Sequence, residues 1–367
     1  MAKHPFLKAL EALDALVVKH AHFEDVLQRL LDAICKARKG KVILVPGASG
    51  NGKSWLLAHL DSLLLDHLER NPDDGRGPPA VLEIDPTKDG KLAWSGFFHR
   101  FLESLNSVPH RPDWRSENDN KKPSVAVTQS SDRGIDELKS QLERDIRAKR
   151  PMAILVDEVN HLSRAPNSER LEERLDMIKS IANKTNAVFV LFGTYEVRNL
   201  LFGNSQLARR IKPILFPRYT NDPVGRGHLV GALISALADL GIPHDIQFEK
   251  KAAYFYNYTV GCVGVAMEWM EEAVKLAAGE DAPKLLLKHF IATQLLYPQL
   301  RAMARAAFEF EKWWGEWPER FDPEHVSLEV STEEATDEKE KEEAKQRRSG
   351  QKKGRRGKPR LKRYGVG

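Results

Sequence analysis

The 367-residue sequence predicts an α/β fold, with a parallel sheet flanked by helices, then a small helical domain and a disordered charged tail. Three observations carry this reading. Short continuous apolar runs alternate with segments whose apolar residues recur at helical spacing, as strands covered on both faces require. After Pro223 the pattern is wholly helical up to about Trp317. Residues 325–367 have no apolar stripe at all.

Residues 6–19 and 22–37 are expected as helices, on Leu7, Leu10, Leu13 and Leu16, then Phe23, Val26, Leu27, Leu30, Leu31 and Ile34. Gly40 closes the second, and Lys41-Val42-Ile43-Leu44-Val45 reads as a buried strand. A helix runs from Lys53 to about Leu68, and the Asn, Asp, Gly and Pro of 71–79 make a loop. A strand at 80–85 and a helix at about 92–105 follow. Residues 107–133 are polar, hold three prolines and read as a flexible insertion. Then come a helix at 134–149, a strand at 152–156, a helix at about 168–183, a strand at 187–192 and a shorter one near Ile211–Phe216. The expected division is N-terminal helices at 1–40, an α/β core at 41–222, a helical domain at 223–324 and a tail at 325–367.

With 41% hydrophobic and 30% charged residues, the composition fits a soluble globular protein. No uninterrupted apolar run of about 18 residues exists, so neither a membrane span nor a membrane partner is expected. Met1-Ala2-Lys3-His4-Pro5 lacks the apolar centre of a signal peptide, which predicts a cytosolic chain. Cys35 and Cys262 fall in helical apolar patterns and are expected as buried free thiols. The net charge of +5 belongs to the tail. Lys345–Arg363 holds eleven Lys or Arg and no acid, and Glu329–Ala344 holds eight acids against Lys339 and Lys341. Positions 1–328 are left with 44 basic and 44 acidic residues, so the body is neutral.

Gly47-Ala48-Ser49-Gly50-Asn51-Gly52-Lys53-Ser54 fits the phosphate-binding pattern G-x-x-x-x-G-K-[ST] between a strand and a helix. Its glycines let backbone N–H groups turn onto phosphates, and the helix adds its positive end. Lys53 is expected to reach the β- and γ-phosphates of ATP, and Ser54 to ligate Mg²⁺. Met152–Val156 is an apolar strand ending in Asp157 and Glu158. The first acid is expected to hold Mg²⁺ through water and the second to polarise the attacking water. Thr194, just past the strand 187–192, is placed to hold that water. Arg209 and Arg210 precede the last strand, where they could enter a neighbouring subunit's site and neutralise charge on the transferred phosphoryl.

Together, the P-loop, the Asp157-Glu158 pair, Gly193-Thr194 and Gln206-Leu207-Ala208-Arg209-Arg210 resemble the AAA+ ATPases of transposition, the TnsC/TniB group. Asp157-Glu158-Val159-Asn160-His161-Leu162 narrows the likeness further. It runs from His4 to about Pro243. It implies a P-loop NTPase of AAA+ type whose helical domain is the lid. It also implies an ATP-driven homo-oligomer, ring or helical filament, on double-stranded DNA without sequence preference. Such a protein meets a targeting protein, recruits a transposase and disassembles on hydrolysis. One departure stands out: Gly261-Cys262-Val263-Gly264-Val265 holds no arginine where many AAA+ lids carry one, so closure would depend on packing.

For DNA, Lys88 and Lys91 follow the second strand, in a region that faces the central channel in related DNA binders; two solvated loop lysines fit the sequence equally. The basic tail, including Arg355 and Arg356, suits either a DNA backbone or an acidic protein surface. Phe308, Phe310, Trp313, Trp314 and Trp317 form an aromatic cluster of the kind that usually packs internally. Two other readings remain: an Orc-type initiator, which would usually carry a winged-helix reader, and a signalling NTPase acting without DNA.

Overall fold

The computed structural model describes residues 5–13, 16, 18–37, 40–84, 94–106, 132–163, 168–198 and 211–315. Five strands, β1 (Lys41–Pro46), β2 (Ala80–Glu83), β3 (Ile154–Asp157), β4 (Val188–Gly193) and β5 (Ile211–Pro213), form one sheet in the order β2-β3-β4-β1-β5. Every pairing is parallel, with Pro46 opposite Gly193 and Val156 opposite Leu191. In a parallel sheet all strands end at the same edge, so the segments leaving β1, β3 and β4 are gathered there.

The period-2 pleat explains why the central strands are apolar throughout. On one face, Val42, Leu44, Ile154, Val156, Phe189 and Leu191 pack with helices α4 (Trp94–Asn106), α5 (Asp132–Lys149) and α7 (Ser168–Thr185). Their alternates on the other face, among them Ile43, Val45, Leu155, Val190 and Phe192, pack with α2 (Ala21–Cys35) and α3 (Lys53–Arg70). The short α6 (Asn160–Ser163) follows β3 directly.

A second core is all helical, built from α8 (Pro223–Asp239), α9 (Ala252–Thr259), α10 (Val263–Gly279) and α11 (Leu287–Ala292). Asp222 caps α8 by accepting the N–H groups of Val224 and Gly225 at 2.9 Å. The N-terminal helix α1 (Pro5–Leu13) belongs to this core through Phe6 and Ala9. The two N-terminal helices therefore serve different cores, α1 the lid and α2 the sheet. In the last helix, α12 (Tyr297–Gly315), the rings of Phe310, Trp313 and Trp314 contact one another. Phe308 is exposed, and Trp317 lies outside the described residues.

Three expectations are corrected. The first helix is Pro5–Leu13 and does not reach Lys19; Leu16, Val18 and His20 are non-helical and line a cavity. Cys35 is exposed, since it ends α2 one residue past the buried stripe of Val26, Leu30, Ala33 and Ile34; Cys262 is buried but precedes α10. The strand expected at 211–216 ends at Pro213, with Phe216 rejoining the sheet as an isolated bridge to Gly47. Among the described residues no helix is long and apolar enough to cross a membrane.

Phe189 is fully buried in a central strand, edge-on to Phe101 at 6.1 Å. Phe189→Ala should cost about 3–5 kcal/mol of stability, read as a lower urea midpoint with unchanged slope.

Candidate nucleotide site

The loop that leaves β1 turns back into α3 through Gly50 (φ 70°) and Gly52 (φ 87°), a left-handed conformation that side chains resist. Asn51 anchors the turn from below, its Nδ2 donating to the carbonyls of Phe216 (3.0 Å) and Pro217 (3.1 Å). Lys53 opens α3 and is 7% exposed, so its ammonium is almost wholly out of water. Nζ donates to the carbonyls of Ala48 (2.9 Å) and Gly47 (3.4 Å). Burial pushes the Lys53 pKa down, and the Asp157 and Glu158 carboxylates partly offset it.

The neighbouring strand ends complete the group. Ser54 Oγ donates to Asp157 Oδ2 at 2.7 Å, across 103 residues of sequence. Burial raises the Asp157 pKa, while the bonds from Ser54 and the Glu158 N–H lower it. Glu158 has φ 55°, and its side chain lines the cavity together with Thr194. Thr194 Oγ1 is buried and has no hydrogen-bond partner. A strained backbone and an unpartnered buried hydroxyl, side by side at the sheet edge, mark a site arranged for something other than stability.

These groups surround a cavity of about 400 Å³. The P-loop forms its floor, Leu16, Val18, His20 and Phe23 one wall, and Val263, Gly264, Met267 and Glu268 of the lid another. The lid meets the P-loop backbone to backbone: Val265 N–H donates to the Gly50 carbonyl at 2.9 Å. The approach needs glycine on the lid, because a Cβ on Gly264 would stand 2.5 Å from the Gly50 oxygen.

The residues fit ATP with Mg²⁺. Lys53 is bonded to loop carbonyls in the cradle where phosphate oxygens would replace them, and the hydroxyl and carboxylate suited to a hard cation are already in contact. Gly47–Ser54, Asp157, Glu158 and Thr194 are thus brought together. Arg209, Arg210, Lys88, Lys91, Arg355 and Arg356 lie outside the described residues.

Sequence reasoning missed the N-terminal wall. Tyr219 reaches this wall from the chain beyond β5, its ring stacked on His22 at 4.4 Å. Its hydroxyl lies 3.1 Å from His20 Nδ1, a hydrogen bond whose donor depends on the histidine tautomer. His20 also stacks on Phe216 at 6.0 Å. Burial first, then the nearby His22, lowers its pKa to about 4. A histidine before a helix gives no sequence signal for this, because its partners come from residues 216 and 219.

Two outcomes follow from the two walls. Gly264→Ala should separate the lid from the P-loop and weaken ATP binding about tenfold, measured by calorimetric titration. Below pH 6.5 the unfolded chain takes up a proton that folded His20 refuses down to about pH 4, so stability falls as pH drops through that window. His20→Phe should flatten that part of the stability–pH curve, by up to about 1.4 kcal/mol per pH unit, in urea titrations.

Residues 36–201 match the AAA domain family described as "AAA domain". A search of curated proteins finds no match. Among solved structures, Aeropyrum pernix Orc1 in complex with DNA is similar with TM-score 0.54 at 15% identity, over 75% of this chain and 66% of that one. Drosophila ORC bound to DNA gives 0.49 at 14%, over 80% and 65%. Aeropyrum pernix Orc2, in ADPNP–ADP complexes, gives 0.48 at 13%, over 78% and 66%. The chain therefore spans just under two thirds of the length of these structures. With the P-loop after β1, the acids after β3 and a helical lid behind a five-stranded parallel sheet, this chain has the P-loop AAA+ fold, and its residues 36–201 match the AAA domain model.

Proposed function

We propose that this protein is an ATP-dependent DNA-binding regulator of transposition. In this reading it assembles on target duplex DNA, recruits and activates a transposase, and comes apart when ATP is hydrolysed. The observation that carries the hydrolytic part is the pairing of two carboxylates with different surroundings: Asp157 bonded by Ser54, and Glu158 lining the cavity beside Thr194. The transposition part rests on the resemblance of the P-loop, Asp157-Glu158, Gly193-Thr194 and Gln206–Arg210 to the TnsC/TniB group.

Lys53 would exchange loop carbonyls for β- and γ-phosphate oxygens, and its buried ammonium would regain a full charge partner. Ser54 and Asp157 would hold Mg²⁺, the latter through water; the cation would neutralise charge developing on the phosphates. Glu158 would accept a proton from the attacking water while Thr194 Oγ1 orients it. The apolar wall of Leu16, Val18 and Phe23 suits the face of a purine, with the His20 imidazole at its rim. Arg209 and Arg210 would serve a neighbouring subunit's nucleotide, which makes assembly and hydrolysis interdependent. Lys88, Lys91 and the basic tail with Arg355 and Arg356 would meet phosphates without reading bases.

An Orc-type initiator is the second reading, favoured by the fold of the DNA-bound Aeropyrum Orc1. Against it, the described part of 283–317 holds α11 and α12 and no strand for a wing.

Purified protein with ATP should form assemblies on plain duplex DNA of any sequence, seen by electron microscopy. Glu158→Gln should bind ATP normally, lose hydrolysis by at least about a hundredfold and trap those assemblies. No assembly on plain duplex would overturn the transposition reading, and assembly only on one sequence would favour the initiator.

A further inference from the structure

We propose that Asn160 is a positioning residue for ATP hydrolysis, tying the Glu158 carboxylate to the end of β4 so that it and Thr194 face one water molecule together. The inference rests on the roles proposed for Glu158 and Thr194.

Asn160 opens α6 and is 1% exposed. Its Nδ2 donates to Glu158 Oε2 at 3.0 Å, and its Oδ1 accepts the Thr194 N–H at 3.2 Å. Val159 N–H donates to the Phe192 carbonyl at 2.9 Å, so the backbone beside Asn160 is tied to the same strand end. A carboxamide is the short neutral group that presents a donor and an acceptor a fixed distance apart. Here the donor holds a carboxylate on one strand's exit and the acceptor holds the backbone of another's.

Glu158 needs such a restraint. Its side chain is about one third exposed and has three rotatable bonds, and its backbone is in the left-handed region, so the chain itself does little to aim it. His161 Nε2, at 3.5 Å from Oε2, is the other group near the carboxylate among the described contacts. Holding a reacting group near its productive geometry removes an entropic cost from the chemical step, and displacement of about 1 Å can cost on the order of a hundredfold in rate. The expected signature is therefore a loss in turnover without a loss in nucleotide affinity. Asn160 does not itself line the cavity; it acts through Glu158 and Thr194, which do.

Asn160→Asp separates the two halves of this role. The new carboxylate can still accept the Thr194 N–H but can no longer donate to Glu158. With full-length protein, kcat for ATP should fall at least about tenfold while the Kd of a fluorescent ATP analogue stays within about twofold. Asn160→Ala, checked by thermal melting, should give the same split and serves if the aspartate variant does not fold. In a Glu158→Gln background, Asn160→Ala should leave the residual single-turnover rate unchanged, because the group it positions is gone. Wild-type turnover in folded Asn160 variants, or a full multiplicative loss in the Glu158→Gln background, would overturn the proposal. Undiminished hydrolysis by Glu158→Gln alone would instead overturn the reading of the site on which it stands.

Discussion

The ammonium of Lys53 lies in the interior at the mouth of α3, and a charge taken out of water must be compensated nearby. In this fold the compensation comes from the P-loop's own carbonyls and, at longer range, from Asp157 and Glu158. Those carboxylates are available only because β3 runs parallel to β4, and β4 to β1, so their ends share one edge. The loop can curl tightly enough to present its carbonyls only because Gly50 and Gly52 take the left-handed conformation. Sheet order, loop composition and acid placement are thus parts of one electrostatic arrangement. A bound triphosphate would complete it, since phosphate oxygens pair with the cation better than carbonyls do.

The lid is joined to that arrangement through backbone. Val265 donates to Gly50, and the close pass at Gly264 leaves no room for a side chain between lid and loop. A charged side chain reaching for phosphate would sense nucleotide through its own flexibility. Here the lid helix is instead docked directly on the loop, backbone to backbone. The other side of the cavity is equally integrated: α1 is built into the lid core, α2 into the sheet core, and the segment between them lines the cavity. His20 and Tyr219 tie this segment to the chain emerging from β5. The N-terminal region is therefore a structural part of the nucleotide site.

Asn160 shows how a polar side chain can be buried without serving stability alone. Burial of a carboxamide is tolerable when both its ends are bonded, and here the partners are two groups flanking the cavity. Thr194 Oγ1, beside it, is the contrasting case, buried and unpartnered. The first contact fixes geometry and the second leaves a hydroxyl available, a division suited to holding a water molecule between them.

Local pattern determined much of this protein. The apolar runs at 41–45 and 187–192 are strands because they are buried on both faces, and the P-loop is legible because one contiguous segment holds all its chemistry. That Asp157, Glu158 and Thr194 lie together was readable from their positions after strands, since parallel strands deliver their ends to one edge. Where the first helix stops and how the lid is held were decided by tertiary structure. Leu16 has helical spacing but is non-helical and lines a cavity, and Gly264 reads as a helix-weakening residue until Gly50 is seen against it. The roles of His20 and Asn160 depend on partners 199 and 34 residues away, and no local pattern encodes a contact of that range. Periodicity reports which face of an element is buried; only the folded chain decides which groups meet there.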